Sequence, residues 1–209
     1  LEQNVNYMMV RNYETTKFLA DWCKNNKNKK IIYSSSAANY GVNNDYPSNL
    51  YGWSKYVAED YVLSIDGVAL RYFNVYGPGE DKKGRMSSFL YQAYQKNKEG
   101  QEVLLFPKTP TRDFIYIEDI ISANIYAMNN YGKIKGRYYE VSTSVSSKFE
   151  EMMHLAGIEY RYLPENCIPE GYQFYTCGDQ DKWMQGWSPS FSLSRGVEEY
   201  MLFLGENND

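Results

Sequence analysis

The chain is 209 residues long with a formal net charge of −4, its 22 basic residues interspersed with 26 acidic ones. That balance lacks the basic face of a nucleic-acid binder, and no apolar run reaches membrane-spanning length. Three cysteines (Cys23, Cys167 and Cys177) without metal-ligand spacing and a single histidine, His154, leave few zinc options and fit a reduced, cytoplasmic compartment.

Apolar or small residues at Met8, Met9, Tyr13, Thr16, Leu19, Ala20 and Cys23 predict an amphipathic helix from about Val5 to Asn26. After a polar turn over Lys24 to Lys30, the run Ile31-Ile32-Tyr33 predicts a buried strand that reaches Ser36. A second helix is expected from about Tyr51 to Ile65, and a strand from Val68 to Asn74 that ends at Gly77-Pro78-Gly79. Lys82-Lys83-Gly84-Arg85 reads, on composition, as a solvated basic turn. A helix over Ser87 to Lys98 and a short strand over Glu102 to Phe106 follow. Arg112 to Ile117 alternates as a strand and feeds a helix from about Glu118 to Asn130, with a further strand over Arg137 to Ser142. The remainder predicts a helix over Ser147 to Ala156, strands over Glu159 to Leu163 and Tyr172 to Thr176, a loop over Pro164 to Gly171, and helices near Asp179–Gln185 and Leu193–Leu204. Strands alternating with helices imply an α/β fold with a mostly parallel sheet, and the later short elements imply a smaller lobe.

Chemistry concentrates where the first strand ends, in Ser34-Ser35-Ser36-Ala37-Ala38-Asn39-Tyr40-Gly41, with Tyr51-Gly52-Trp53-Ser54-Lys55 following. Strand ends are where open α/β sheets place their ligands. Tyr51 and Lys55 are one helical turn apart and share a face. An ammonium beside a phenol favours the phenolate, which makes a general base, with Ser36 alongside to hold a substrate hydroxyl. The same Tyr-x-x-x-Lys spacing recurs at Tyr13/Lys17, Tyr94/Lys98 and Tyr131/Lys135, each read as a solvated lysine near a core-edge tyrosine. Only Tyr51/Lys55 lies between two strand-to-loop junctions.

The ordered segments SSSAANYG, YGWSK, RYFNVYGP and RDFIYIEDI resemble the extended short-chain dehydrogenase/reductase family of nucleotide-sugar-modifying enzymes. Within it, RYFNVYGPGEDKKGRMSS and the segments near Glu159–Pro164 and Val197–Met201 are similar to the ADP-L-glycero-D-manno-heptose 6-epimerases. The resemblance implies the carboxy-terminal part of a Rossmann-type parallel-sheet domain (1–78 and 112–131) plus a small α/β substrate-binding lobe (79–111 and 132–209). It implies transient oxidation of a nucleotide-diphosphate sugar with tightly bound NADP, NAD being the alternative, and hydride return to the opposite face. Tyr51 and Lys83 would be the two bases, which overrides the solvated-turn reading of Lys83. Ser36 would hold the reacting hydroxyl, and Lys55 would tune Tyr51 and touch the nicotinamide ribose. Asn12 and Val75, with Tyr51, Lys55 and Lys83, would line the cofactor. Asn74, Arg85, Gln92, Phe106, Arg112 and Tyr172 would face the nucleotide sugar, with Arg112 suited to a diphosphate.

The sequence departs from that pattern at Arg85, where the epimerases have Ser, at Gln92, where they have His, and at Gly79, where they commonly have Arg. A 4-epimerase or a reductase of the same family remains open, as does a catalytically silent binding domain. No glycine-rich pyrophosphate-binding turn occurs in the sequence, so these residues alone are expected to bind NADP no better than weakly and to be inactive. The apolar positions of the first two helices, among them Met8, Met9, Tyr56 and Tyr61, exceed one buried stripe; in this family such helices pair two subunits, so a homo-oligomer is expected.

Overall fold

The computed structural model describes residues 4–26, 29–42, 45–169 and 172–206. Parts of the expected turn at 24–30, of the 41–51 segment and of the 164–171 loop therefore lie outside the described residues. The chain forms two compact units, Leu1–Phe73 with Ser122–Val141 and Asp181–Trp187, and Asn74–Ile121 with Ser142–Gln180 and Ser188–Asp209. The division runs through one helix. It assigns 74–78 and 112–121 to the second unit and 132–141 and 181–187 to the first, whereas the family resemblance implied the reverse for these stretches.

In the first unit the strands β1 (Ile32–Ser36), β2 (Val68–Tyr72) and β6 (Arg137–Val141) are parallel in the order β1-β2-β6. Val68, Ala69 and Leu70 are fully buried, the continuous apolar run of a central parallel strand. The helices α1 (Val5–Met9), α2 (Thr15–Asn25) and α3 (Leu50–Ser64) belong here, and Ala20, Tyr33, Ala58, Val62 and Ala69 form a shared core. Between α1 and α2 a π-helical turn, Val10–Glu14, interrupts what the sequence presented as one regular helix.

The second unit holds β3 (Asn74–Tyr76), β5 (Thr111–Tyr116) and β7 (Ser146–Lys148), in the order β3-β5-β7, with β5 and β7 antiparallel. A two-stranded pair, β4 (Leu104–Leu105) and β8 (Arg161–Tyr162), lies apart from that sheet. Its helices are α4 (Phe89–Lys98), α6 (Phe149–Leu155) and α7 (Leu193–Glu206), while α5 (Ile117–Ile134) is shared with the first unit. Tyr76, Leu90, Phe114, Met152, Met153 and Tyr200 lead its core.

Four expectations change. The strand over Val68 to Asn74 becomes two, because β2 pairs with β6 as far as Tyr72–Val141 and β3 starts a second ladder against β5. Ser146–Lys148 joins β5 as a strand, so α6 starts two residues later than its pattern suggested. Tyr172–Thr176 makes only an isolated bridge, Tyr175 to Thr111, because the next β5 amide, that of Asp113, meets the Thr176 hydroxyl rather than a backbone carbonyl. Asp179–Gln185 holds a single 3-10 turn, Gln180–Lys182, since the burial of Met184 and Trp187 draws the chain inward before a helix can propagate.

Candidate active site

In the first unit, Asn49 caps α3 by accepting a 2.9 Å hydrogen bond from the Gly52 amide, which sets Tyr51 in the opening turn and Lys55 one turn on. A Cβ on Gly52 would lie 2.6 Å from the Ala38 carbonyl oxygen, so only glycine lets α3 start this close to the turn after β1. Ser36, the last residue of β1, accepts from the Ala38 amide at 3.1 Å. Its hydroxyl proton therefore stays available to a ligand. Asn12 sits in the π-helical turn and donates to Ser54 Oγ at 2.8 Å, and Ser54 donates in turn to the Tyr51 carbonyl. Such turns recur at functional sites, and this one ties Asn12 to the helix that carries Tyr51.

Lys55 donates to the Ser34 carbonyl and lies 4.4 Å from the centre of the Tyr33 ring. Burial of its ammonium pushes it down to about 8, with Glu59, one turn later, acting in the opposite sense. Tyr33 is itself raised, first by burial and then by Tyr51 and Glu59. Two of the other Tyr-x-x-x-Lys lysines are occupied structurally, Lys17 by Asp21 and Lys135 by Asp66.

A buried network holds this strand end, and sequence reasoning missed it. The Glu59 carboxylate accepts from Ser35 Oγ, from Asn39 Nδ2 and from Arg71 through Nε and Nη2. The Arg71 guanidinium lies 4.6 Å from the Tyr40 ring centre and 3.7 Å from that of Tyr138. Its signal was available: a charged residue inside the buried run of β2 needs a buried partner.

The second unit brings together most of the expected sugar-facing residues. The Arg112 guanidinium lies 5.3 Å from the Tyr172 ring centre and 5.7 Å from that of Phe149, and Tyr172 packs edge-on to Phe106. Burial lowers the Arg112 value and raises that of Tyr172, each moderated by the other. Phe149 also lines a cavity of about 230 Å³ with Asn74, Val75, Ser87, Ser88, Phe89 and Phe114. Asn74 donates to the Asp113 carbonyl at 3.1 Å, and Gln92 donates to the Ser87 carbonyl at 2.8 Å. Lys83 is half-exposed and ion-paired to buried Glu80 at 3.8 Å, and Arg85 is exposed on the 3-10 turn Gly84–Met86. Phe149 carries no local motif signal; only the fold puts it beside Arg112.

Residues 2–142 match the model of the NAD dependent epimerase/dehydratase family. The chain belongs to that family. A relative from Brachyspira hyodysenteriae, an ADP-L-glycero-D-manno-heptose-6-epimerase, is 32% identical over 96% of this chain and 70% of its own length. The Helicobacter pylori ADP-L-glycero-D-manno-heptose-6-epimerase structure shares 28% identity at a TM-score of 0.83, covering 97% of this chain and 67% of that one. The Thermotoga maritima UDP-glucose 4-epimerase, 22% identical with a TM-score of 0.85, covers 99% and 73% and shows the shared fold. Among the described residues of this family member, no group of three or more His, Cys, Asp and Glu is arranged for a metal, and no helix is long and apolar enough to cross a membrane.

Proposed function

We propose that this chain is the catalytic and sugar-binding part of a nucleotide-sugar epimerase of the ADP-glycero-manno-heptose 6-epimerase type, using NADP in the cytoplasm. The observation that carries the reading is a phenol and an ammonium one helical turn apart on α3, the ammonium donating to the Ser34 carbonyl, with a strand-end hydroxyl in the same unit of a chain 32% identical to such an enzyme. That donor set suits a nicotinamide nucleotide, which when bound supplies a reversible hydride acceptor. Tyr51, Lys55, Asn12, Val75 and Lys83 would hold it.

Ser36 holds the reacting hydroxyl, and Tyr51 takes its proton or returns it. Lys55 keeps positive charge beside that transfer, and Lys83 handles the proton on the other face of the sugar carbon. Arg112 binds the diphosphate, with Phe106 and Tyr172 on the nucleoside and Asn74, Arg85 and Gln92 on the sugar. Incubating the holoenzyme with ADP-D-glycero-D-manno-heptose, and separately with UDP-galactose, tests the reading by chromatography of the products. Interconversion of the heptose alone is expected; turnover of the UDP sugar, or of neither, refutes it.

The oligomer also belongs to this proposal. Met8 is buried, and Tyr61 packs on Tyr13 while its hydroxyl meets Asp21. The exposed apolar positions are instead Val5, Tyr7, Val10, Phe18, Leu19 and Trp22 on the first helices and Trp53 on α3. A second copy covering them gives a dimer by light scattering at micromolar concentration, and a monomer there counts against it.

A further inference from the structure

Lys83 stands on a stretch that packing does not hold. From Pro78 to Met86, Glu80 is the sole buried residue, while 81–86 are all exposed and a Cβ on Gly79 or Gly84 would meet nothing within 4 Å. A cavity of about 380 Å³ is lined by Glu80 and Asp81 of the stretch and by Tyr91, Gln95 and Phe203. What fixes the loop is the Glu80 carboxylate. Oε1 accepts from the Ser88 amide at 2.6 Å, and Oε2 accepts from Ser88 Oγ at 2.6 Å and from the Tyr200 hydroxyl at 3.2 Å. Ser88 is the cap of α4, so the carboxylate is anchored to the start of a helix, where negative charge is favoured. Glu80 then reaches Lys83 twice: its carbonyl accepts from the Lys83 amide at 3.0 Å, and its carboxylate pairs with the ammonium at 3.8 Å.

We infer that Glu80 is a positioning residue for Lys83, clamping the loop to α4 and aiming the ammonium from a fixed carboxylate. A buried carboxylate needs its donors, and three of them here are neutral groups already in place. Lys83 is therefore not required for the fold of this loop. It is the member of the cluster left free to act, and its direction comes from Glu80. The inference rests on the role proposed for Lys83 in the reaction.

Glu80→Gln tests it, because the carboxamide oxygen still accepts from the Ser88 amide and its NH2 can donate to the Ser88 and Tyr200 hydroxyls, which turn from donor to acceptor, while the charge that faces Lys83 is removed. In the chain itself, acylation of lysines by an N-hydroxysuccinimide ester, read by peptide mass spectrometry, is expected to speed up at least threefold at Lys83. Its neighbour Lys82 serves as the internal control and stays within about 1.5-fold. Equal changes at both lysines, or none at Lys83, overturn the inference.

In the holoenzyme, Glu80→Gln lowers kcat about tenfold with KM within threefold, yet costs less than twofold when Lys83 is already Met. The same cost in both backgrounds means a merely structural role and also overturns it. Should Lys83→Met itself leave turnover unchanged, the proposed role of Lys83 fails, and this inference falls with it.

Discussion

Replacing Arg71 by Met tests whether the strand end that carries Ser36 is held by a buried ion pair. Arg71 and Glu59 are 6% and 3% exposed, so removing the guanidinium strands a carboxylate in the interior. Removing one partner of a buried pair costs about 3–5 kcal/mol. Losing the cation's contacts with the Tyr40 and Tyr138 rings adds about 0.5–2 kcal/mol. The Ser35 and Asn39 donors stay and offset part of this, so a net loss of about 3–4 kcal/mol is expected. Against a total of about 5–15 kcal/mol for a domain, that is severe. Urea unfolding followed by tryptophan fluorescence reads it. The same substitution placed on Glu59→Gln is expected to cost at least about 1.5 kcal/mol less, because no charge is then stranded. A loss under about 1 kcal/mol, or equal losses in both backgrounds, would refute the reasoning.

Three further outcomes are expected. Tyr51→Phe in the holoenzyme reduces turnover by at least about a hundredfold with the urea midpoint unchanged, since only the proton-transfer group goes; turnover within a few-fold of the parent removes Tyr51 from the mechanism. Lys83→Met impairs epimerisation but spares dismutation of a C-6 aldehyde analogue in one stereochemical series, because Tyr51 still serves that face; equal loss in both series argues against two-base chemistry. Lys55, lowered from 10.5 to about 8, binds fewer protons folded than unfolded between those values, so its share of stability rises with pH across that window. The urea midpoint of the parent is therefore expected to gain on that of Lys55→Met from pH 8 to 10, and parallel curves refute the burial of the ammonium.

Much of this architecture is legible because it is written locally. The period of α3, the apolar run of β2 and the serine-rich end of β1 each announce themselves within a few residues, and the Tyr51/Lys55 pair stands out by where it lies. What sequence reasoning missed depends on partners far along the chain. Phe149 joins Arg112 only because β7 pairs with β5, and the break at Phe73 reflects two separate ladders rather than a local breaker. The shared face of Tyr51 and Lys55 led to the expectation that the ammonium sits by the phenol. Helical spacing encodes neither of the tertiary partners that the ammonium also meets, the Ser34 carbonyl and the Tyr33 ring.

Each unit secures its working residues in the same way, and the reason is physical. Ser36 is a half-buried hydroxyl at the end of β1 and Lys83 rides an exposed loop, so neither side chain is locked by apolar packing of its own. Side chains proposed to hold a hydroxyl or move a proton must nonetheless be fixed. In both units a carboxylate with 3% exposure supplies the constraint: Glu59 beside β1 accepts from Ser35, Asn39 and Arg71, and Glu80 beside Lys83 accepts twice from Ser88 and once from Tyr200. A buried carboxylate with every donor in place tolerates little displacement, because moving any segment breaks a charge-assisted hydrogen bond worth about 1.5–3 kcal/mol. Apolar contacts are individually too weak and too undirected to hold a loop in that manner. The two buried acids thus do for exposed polar segments what a hydrophobic core does for helices.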